Sequence, residues 1–297
     1  MPPRSDSTVT LADGRRLAYA EWGDPEGKPV FFFHGSPGSR LFCPDEPASV
    51  AAGVRLITVD RPGVGRSDIL VARRWGDWPA DVVGLAEALG IGRFAVVGWS
   101  YGGNYAAACA ALIPSRLTAA GAVSTRHLSQ FNFVERSGAY EELDPDERAD
   151  YDMAKKDPVA AAENFARRNV EWVANLQTNP ESFLDPAKLP ALADKWFFAD
   201  DNRRLEFFAG MSEAVRQGTD GFRWEMIDGF LPWGFRLDEI PMRVHLWYGE
   251  QDERIARRHV DFIAGQIHDC VLSIWPDAGH FGIAKHWGQI LGELTSK

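Results

Sequence analysis

The chain has 297 residues, 45% of them apolar and 25% charged, the balance of an ordinary soluble globular protein. That composition excludes a disordered chain, a collagen-like repeat and a disulfide miniprotein. Lys+Arg number 32 against 42 Asp+Glu, a formal net charge of −10, the wrong sign for a protein whose main task is holding phosphate backbones.

Cys43, Cys109 and Cys270 are odd in number, widely separated and never in CxxC spacing. Reduced thiols are therefore expected, with no disulfide framework and no zinc knuckle. The opening residues, Met1-Pro2-Pro3-Arg4-Ser5-Asp6, have no apolar h-region, and no apolar run nears the roughly 18–20 residues that span a bilayer. The expectation is a cytoplasmic protein with neither a membrane nor a nucleic-acid partner.

Along the chain, apolar runs at 17–22, 30–33, 55–59, 94–98 and 119–123 predict strands. Most are apolar throughout, as in strands covered on both faces. Between them, 77–89 carries apolar residues at helical spacing, and 101–113 is an alanine-rich helix stopped by Pro114. This alternation predicts an α/β fold around a parallel sheet. It breaks near His127 and resumes after Phe235 with a strand at 244–248, a helix at 254–266, a strand at 271–275 and a helix from about Phe281. The domain reading follows: a core of 1–126 and 236–297, with 127–235 as an inserted helical cap.

That insert holds 12 Lys+Arg against 21 Asp+Glu, and 17 of the chain's 35 aromatic residues. An acidic outer face with an aromatic inner face fits a lid over a cavity. A helical subdomain with its own aromatic core has the same composition, and most of the rings are expected to be packing.

Gly98-Trp99-Ser100-Tyr101-Gly102 reads G-x-S-x-G, with an apolar strand running in and a helix running out. Such a sharp turn lifts the serine hydroxyl above the carboxyl edge of the sheet. A serine needs a base, and of the seven histidines His280 sits in a loop just after the last expected strand, at that same edge. The base needs an acid, and Asp252 follows the strand at 244–248 toward the same edge, beside Glu250 and Glu253; Asp277 reads as a turn residue. For the oxyanion, the main-chain N–H of Tyr101 is one expected donor and that of Ser36, in His34-Gly35-Ser36-Pro37-Gly38, the other. His34 is expected to be structural.

Together with Asp60-Arg61-Pro62-Gly63-Val64-Gly65-Arg66-Ser67, Gly249-Glu250-Gln251-Asp252 and Gly279-His280, these motifs resemble the α/β-hydrolase superfamily, its serine-esterase and prolyl-aminopeptidase-like branch with a helical cap. The resemblance implies an eight-stranded, mostly parallel sheet with the cap inserted after the sixth strand. It places Ser100, Asp252 and His280 as nucleophile, acid and base, and reads the 60–67 segment as scaffold. Serine at the nucleophile position sets aside the branches that use aspartate. The family's alternative acid position, here Ser124-Thr125-Arg126, holds no carboxylate.

The expected reaction is hydrolysis of a hydrophobic small-molecule ester through an acyl-enzyme, without a metal or organic cofactor. Candidate substrate contacts are Trp99, Trp172, Trp196, Phe197 and Phe281. A prolyl aminopeptidase and a carbon–carbon bond hydrolase are the rival enzymes. A ligand-binding receptor on the same fold is the rival outside catalysis.

Overall fold

A computed structural model describes residues 2–125, 145–183 and 192–296. Its centre is an eight-stranded sheet of order β1-β2-β4-β3-β5-β6-β7-β8. The strands are β1 (Ser5–Thr10), β2 (Arg16–Gly23), β3 (Lys28–Phe33), β4 (Val54–Val59), β5 (Phe94–Trp99), β6 (Leu117–Val123), β7 (Val244–Gly249) and β8 (Cys270–Trp275). β1 and β2 are an antiparallel pair, β2 runs antiparallel to β4, and every other pairing is parallel.

The period of two along β3 shows why the sheet is covered on both sides. Val30 and Phe32 enter one core with Leu56, Val97 and Trp99. Phe31 and Phe33 point the other way, into a second core with Ile57, Val59 and Val96. The first core continues into the segment between β6 and β7, where Phe165, Phe197 and Phe207 belong to it. The second is closed by α2 (Trp78–Ala88), α3 (Gly102–Leu112) and α10 (Arg257–Gln266).

α1 (Glu46–Ala51) is capped by Asp45, which accepts from the Ala48 N–H. Among its described residues, the segment between β6 and β7 is helical: α4 (Pro145–Lys156), α5 (Pro158–Arg168), α6 (Val170–Thr178), α7 (Lys195–Ala199), α8 (Asp201–Ala214) and α9 (Gly218–Asp228). Arg126 and His127, where the insert was expected to begin, lie outside the described residues. After β8 come α11 (Gly282–Lys285) and α12 (Trp287–Thr295), two helices in place of the one expected from Phe281. The helix expected at 254–266 begins only at Arg257, which leaves 254–256 in a loop at the carboxyl end of β7.

β3 pairs with β4 on one side and β5 on the other, so the chain reverses its direction of travel across the sheet between β3 and β5. The carboxyl ends of these two strands form the crevice in which open α/β sheets hold ligands. The 34–38 loop and Ser100 both start there.

Candidate active site

The β5–α3 turn is built from glycines that have no alternative. A Cβ at Gly98 would sit 2.1 Å from the Gly102 carbonyl oxygen, at Gly102 2.0 Å from that of Phe33, and at Gly103 1.8 Å from Thr125 Oγ1. Between them Ser100 adopts φ of 54°, a left-handed conformation that non-glycine residues rarely take without a reason. Its N–H is anchored on the Val123 carbonyl at 2.9 Å. Gly35 faces this turn, so close that an added Cβ would meet the Ser100 Cβ at 3.4 Å. Among the described residues, nothing accepts from the main-chain N–H of Ser36 or of Tyr101. Ser36, Tyr101, Ser100 and His280 line one cavity of about 380 Å³.

His280 is buried, and its Nδ1 lies 2.9 Å from Asp252 Oδ2. The other Asp252 oxygen accepts from the N–H groups of Arg254 and Ile255, both at 2.9 Å. Burial opposes the charge on this carboxyl, but the His280 ring and the two amides outweigh it and hold its pKa below the usual value. With Nδ1 engaged, Nε2 is the imidazole nitrogen left to act on a hydroxyl. No hydrogen bond joins it to Ser100 Oγ among the described residues, although both side chains line the same cavity. A serine, an imidazole and a carboxylate in this order can act as nucleophile, base and acid.

Residues 28–286 match the model of the family described as alpha/beta hydrolase fold. The chain belongs to that family. A proline iminopeptidase of Xylella fastidiosa is 35% identical over 127 residues, 39% of this chain and 38% of that protein. A non-heme chloroperoxidase of Streptomyces lividans is 37% identical over 99 residues, 33% of this chain and 36% of that one. The aligned segments thus span less than half of these relatives. The crystal structure of a hydrolase from Pseudomonas aeruginosa matches 97% of this chain and 96% of its own with a TM-score of 0.66 at 19% identity, a likeness of fold.

In this α/β-hydrolase the aromatic candidates separate. Trp172 lines the cavity with Ser100. Trp99, Phe197 and Phe281 are instead buried against one another: Phe281 lies 5.1 Å from Trp99 and 4.6 Å from Phe197 between ring centroids. These three are packing between the sheet and the helical segment, with Phe42 and Phe207 completing the cluster. Trp99 also donates through Nε1 to the His280 carbonyl at 3.0 Å, which ties the elbow to the histidine loop. Trp196 carries the Arg203 guanidinium over its face at 5.2 Å. Trp99, Trp196, Phe197 and Phe281, expected as substrate contacts, thus do not line the cavity over Ser100; Phe197 borders a separate cavity of about 400 Å³ with Phe42 and Arg203. The wall over Ser100 is instead formed by Trp172 with Phe183, Met226 and Phe230.

Other parts of the site match their sequence reading. His34 is buried; burial, then the Arg61 charge, push its imidazole down to about 3, which keeps it neutral. Asp277 is exposed and pairs with Lys285. Arg61 holds the 34–38 loop through the His34 carbonyl at 2.7 Å and grips Glu225 of α9 at 2.9 and 2.8 Å. Arg73 joins Glu225 and Asp228, and the Tyr101 hydroxyl lies within hydrogen-bond reach of both the Asp228 carboxylate and the Glu225 carbonyl. A buried, charge-balanced network thereby links the elbow to α9.

Asp194 escaped the sequence reading. It is 2% exposed and accepts from the main-chain N–H groups of His280 at 2.8 Å and Phe281 at 3.0 Å. A Cβ on Gly279 would lie 2.5 Å from its carboxylate. No local motif marks it, because its partners lie 86 and 87 residues downstream. The one available signal is the glycine before His280.

Proposed function

We propose that this hydrolase cleaves carboxylic esters of fairly hydrophobic small molecules through an acyl-enzyme on Ser100. The reading rests on one observation: Ser100 and His280 share a cavity of about 380 Å³ whose other walls include Trp172, Phe183, Met226 and Phe230. The helical segment between β6 and β7, which supplies those rings, serves as the cap.

Ser100 Oγ attacks the ester carbonyl while His280 Nε2 takes its proton. The developing oxyanion accepts from the N–H groups of Ser36 and Tyr101. The intermediate collapses, His280 gives the proton to the departing alcohol, and the acyl group stays on Ser100. Water then gives a proton to His280 and attacks the acyl carbon. Collapse returns the proton to Ser100 and releases the acid. Asp252 keeps the ring oriented and stabilises the imidazolium in both halves.

Turnover of p-nitrophenyl butyrate by wild type and by Ser100→Ala tests this. The variant is expected to lose at least about 10³-fold in kcat with its melting temperature retained. Residual activity close to wild type would remove Ser100 from the mechanism.

A second reading is favoured by relatives that are proline iminopeptidases and by Glu147, a carboxylate lining the same cavity where a substrate ammonium could pair. Faster turnover of proline p-nitroanilide than of simple esters would establish it instead.

A further inference from the structure

Among the described residues lining the space over Ser100 and His280, Arg254 is the sole lysine or arginine. It lies in the loop between β7 and α10, with its own N–H fixed on Asp252 Oδ1 at 2.9 Å. The acid that orients His280 therefore also sets where the Arg254 side chain departs.

This side chain makes no ion pair and no hydrogen bond among the described residues, although it remains open to solvent. The charges acting on it are those of Asp194 and Asp252, and both carboxylates are already occupied by other donors. The buried guanidiniums Arg40, Arg61 and Arg73 are taken up by carboxylates, Arg40 by Asp60 and Glu213, Arg61 by Glu225, and Arg73 by Glu225 and Asp228, whereas Arg254 is exposed and its fork is left for a ligand. Partial desolvation lowers the pKa of the Arg254 guanidinium, with the Asp194 and Asp252 charges opposing it, and an arginine stays charged at any working pH. Its planar donor fork matches a carboxylate.

We propose that Arg254 is a specificity-determining residue that binds a carboxylate carried by the substrate, so that the natural ester has one anionic end and one apolar end. This rests on the esterase reading above. Glu147, on the wall of the same cavity, has a contact of its own and would favour the opposite charge.

The test uses butyrate esters of 4-hydroxybenzoate, 4-hydroxybenzamide and 4-(trimethylammonio)phenol, which differ in charge on the alcohol side. Monophenyl adipate against phenyl hexanoate places the charge on the acyl side. Each kcat/KM is divided by that ester's rate with hydroxide, which removes leaving-group differences. Wild type is expected to favour the carboxylate over its neutral partner by about tenfold in at least one pair. Arg254→Gln is expected to erase that ratio, Arg254→Lys to keep part of it, and Arg254→Glu to turn preference toward the trimethylammonio ester. Because the readout is a ratio, a general loss of activity cancels, and the wild-type ratios stand even if a variant fails to fold. Wild type preferring the neutral or cationic ester, or Arg254→Gln keeping the wild-type ratio, overturns the proposal; the latter would mean that Arg254 only offsets Asp194 and Asp252. Failure to turn over any ester, or turnover that persists in Ser100→Ala, overturns the esterase reading itself and this inference with it.

Discussion

Asp194→Ala removes a side chain of the helical segment that accepts two short bonds from the histidine loop, 2.8 Å from His280 N–H and 3.0 Å from Phe281 N–H. Burial raises the pKa of this carboxyl, and the Phe281 amide and the His280 ring and amide only partly offset that cost, so the charge itself is not what stabilises the fold. What the variant loses is a pair of acceptors. Each buried N–H left without one costs about 1–3 kcal/mol, and water entering the gap recovers part of that, for a net loss of about 3 kcal/mol. In a chain of 297 residues that lowers the melting temperature by roughly 5 °C. The loosened loop also carries the imidazole, so kcat/KM on p-nitrophenyl butyrate is expected to fall by about 10–100-fold. Asp194→Asn keeps one acceptor and no charge and should fall between. Asp277→Ala, which removes an exposed acid from the same stretch of loop, should change little. Differential scanning fluorimetry with steady-state kinetics measures both quantities. A variant that melts within a degree of wild type and retains full kcat/KM would refute the claim that Asp194 holds this loop.

Glu225→Gln leaves Arg61 and Arg73 short of a fully buried counter-charge and should cost about 3–5 kcal/mol in urea unfolding, whereas a loss below about 1 kcal/mol would show that the network adapts. His34, depressed from 6.5 to about 3 in the folded state, takes up its proton in the unfolded chain first. Stability should therefore be intact above pH 6.5 and decline as pH falls toward 3, with residue 34 contributing up to about 1.4 kcal/mol per pH unit. His34→Gln should flatten urea-unfolding stability between pH 6.5 and 4 by that amount, and unchanged slopes would contradict the neutral, buried assignment.

The strands of the sheet centre were legible because double burial demands unbroken apolar runs, as in Val30–Phe33, where every residue is fully buried. β1 was not, because its sequence, Ser5 to Thr10, alternates between half-buried and exposed positions and offers no apolar run at the edge it occupies. The elbow, His280 and Asp252 could be placed from sequence because each follows a strand directly, so a one-dimensional position fixes an edge of the sheet. The cavity wall could not. Phe197 and Phe281 are as aromatic as Trp172, and which rings pack together and which border space depends on contacts between segments far apart in sequence. Asp194 and Arg254 were hidden for the same reason. An acid among 21 in the expected insert, and an arginine beside the acid loop, acquire meaning only through their neighbours.

The division of labour around the cavity has a consequence for engineering. Ser36, Ser100 and His280 come from loops of the sheet, while Trp172, Phe183, Met226 and Phe230 come from the stretch between β6 and β7. On the esterase reading proposed above, exchanging that stretch alone would graft the selectivity of another member of the family. Such a chimera would work only if the donor stretch brought along equivalents of Asp194, Glu225 and Asp228, since the recipient's histidine loop and elbow are fastened to them.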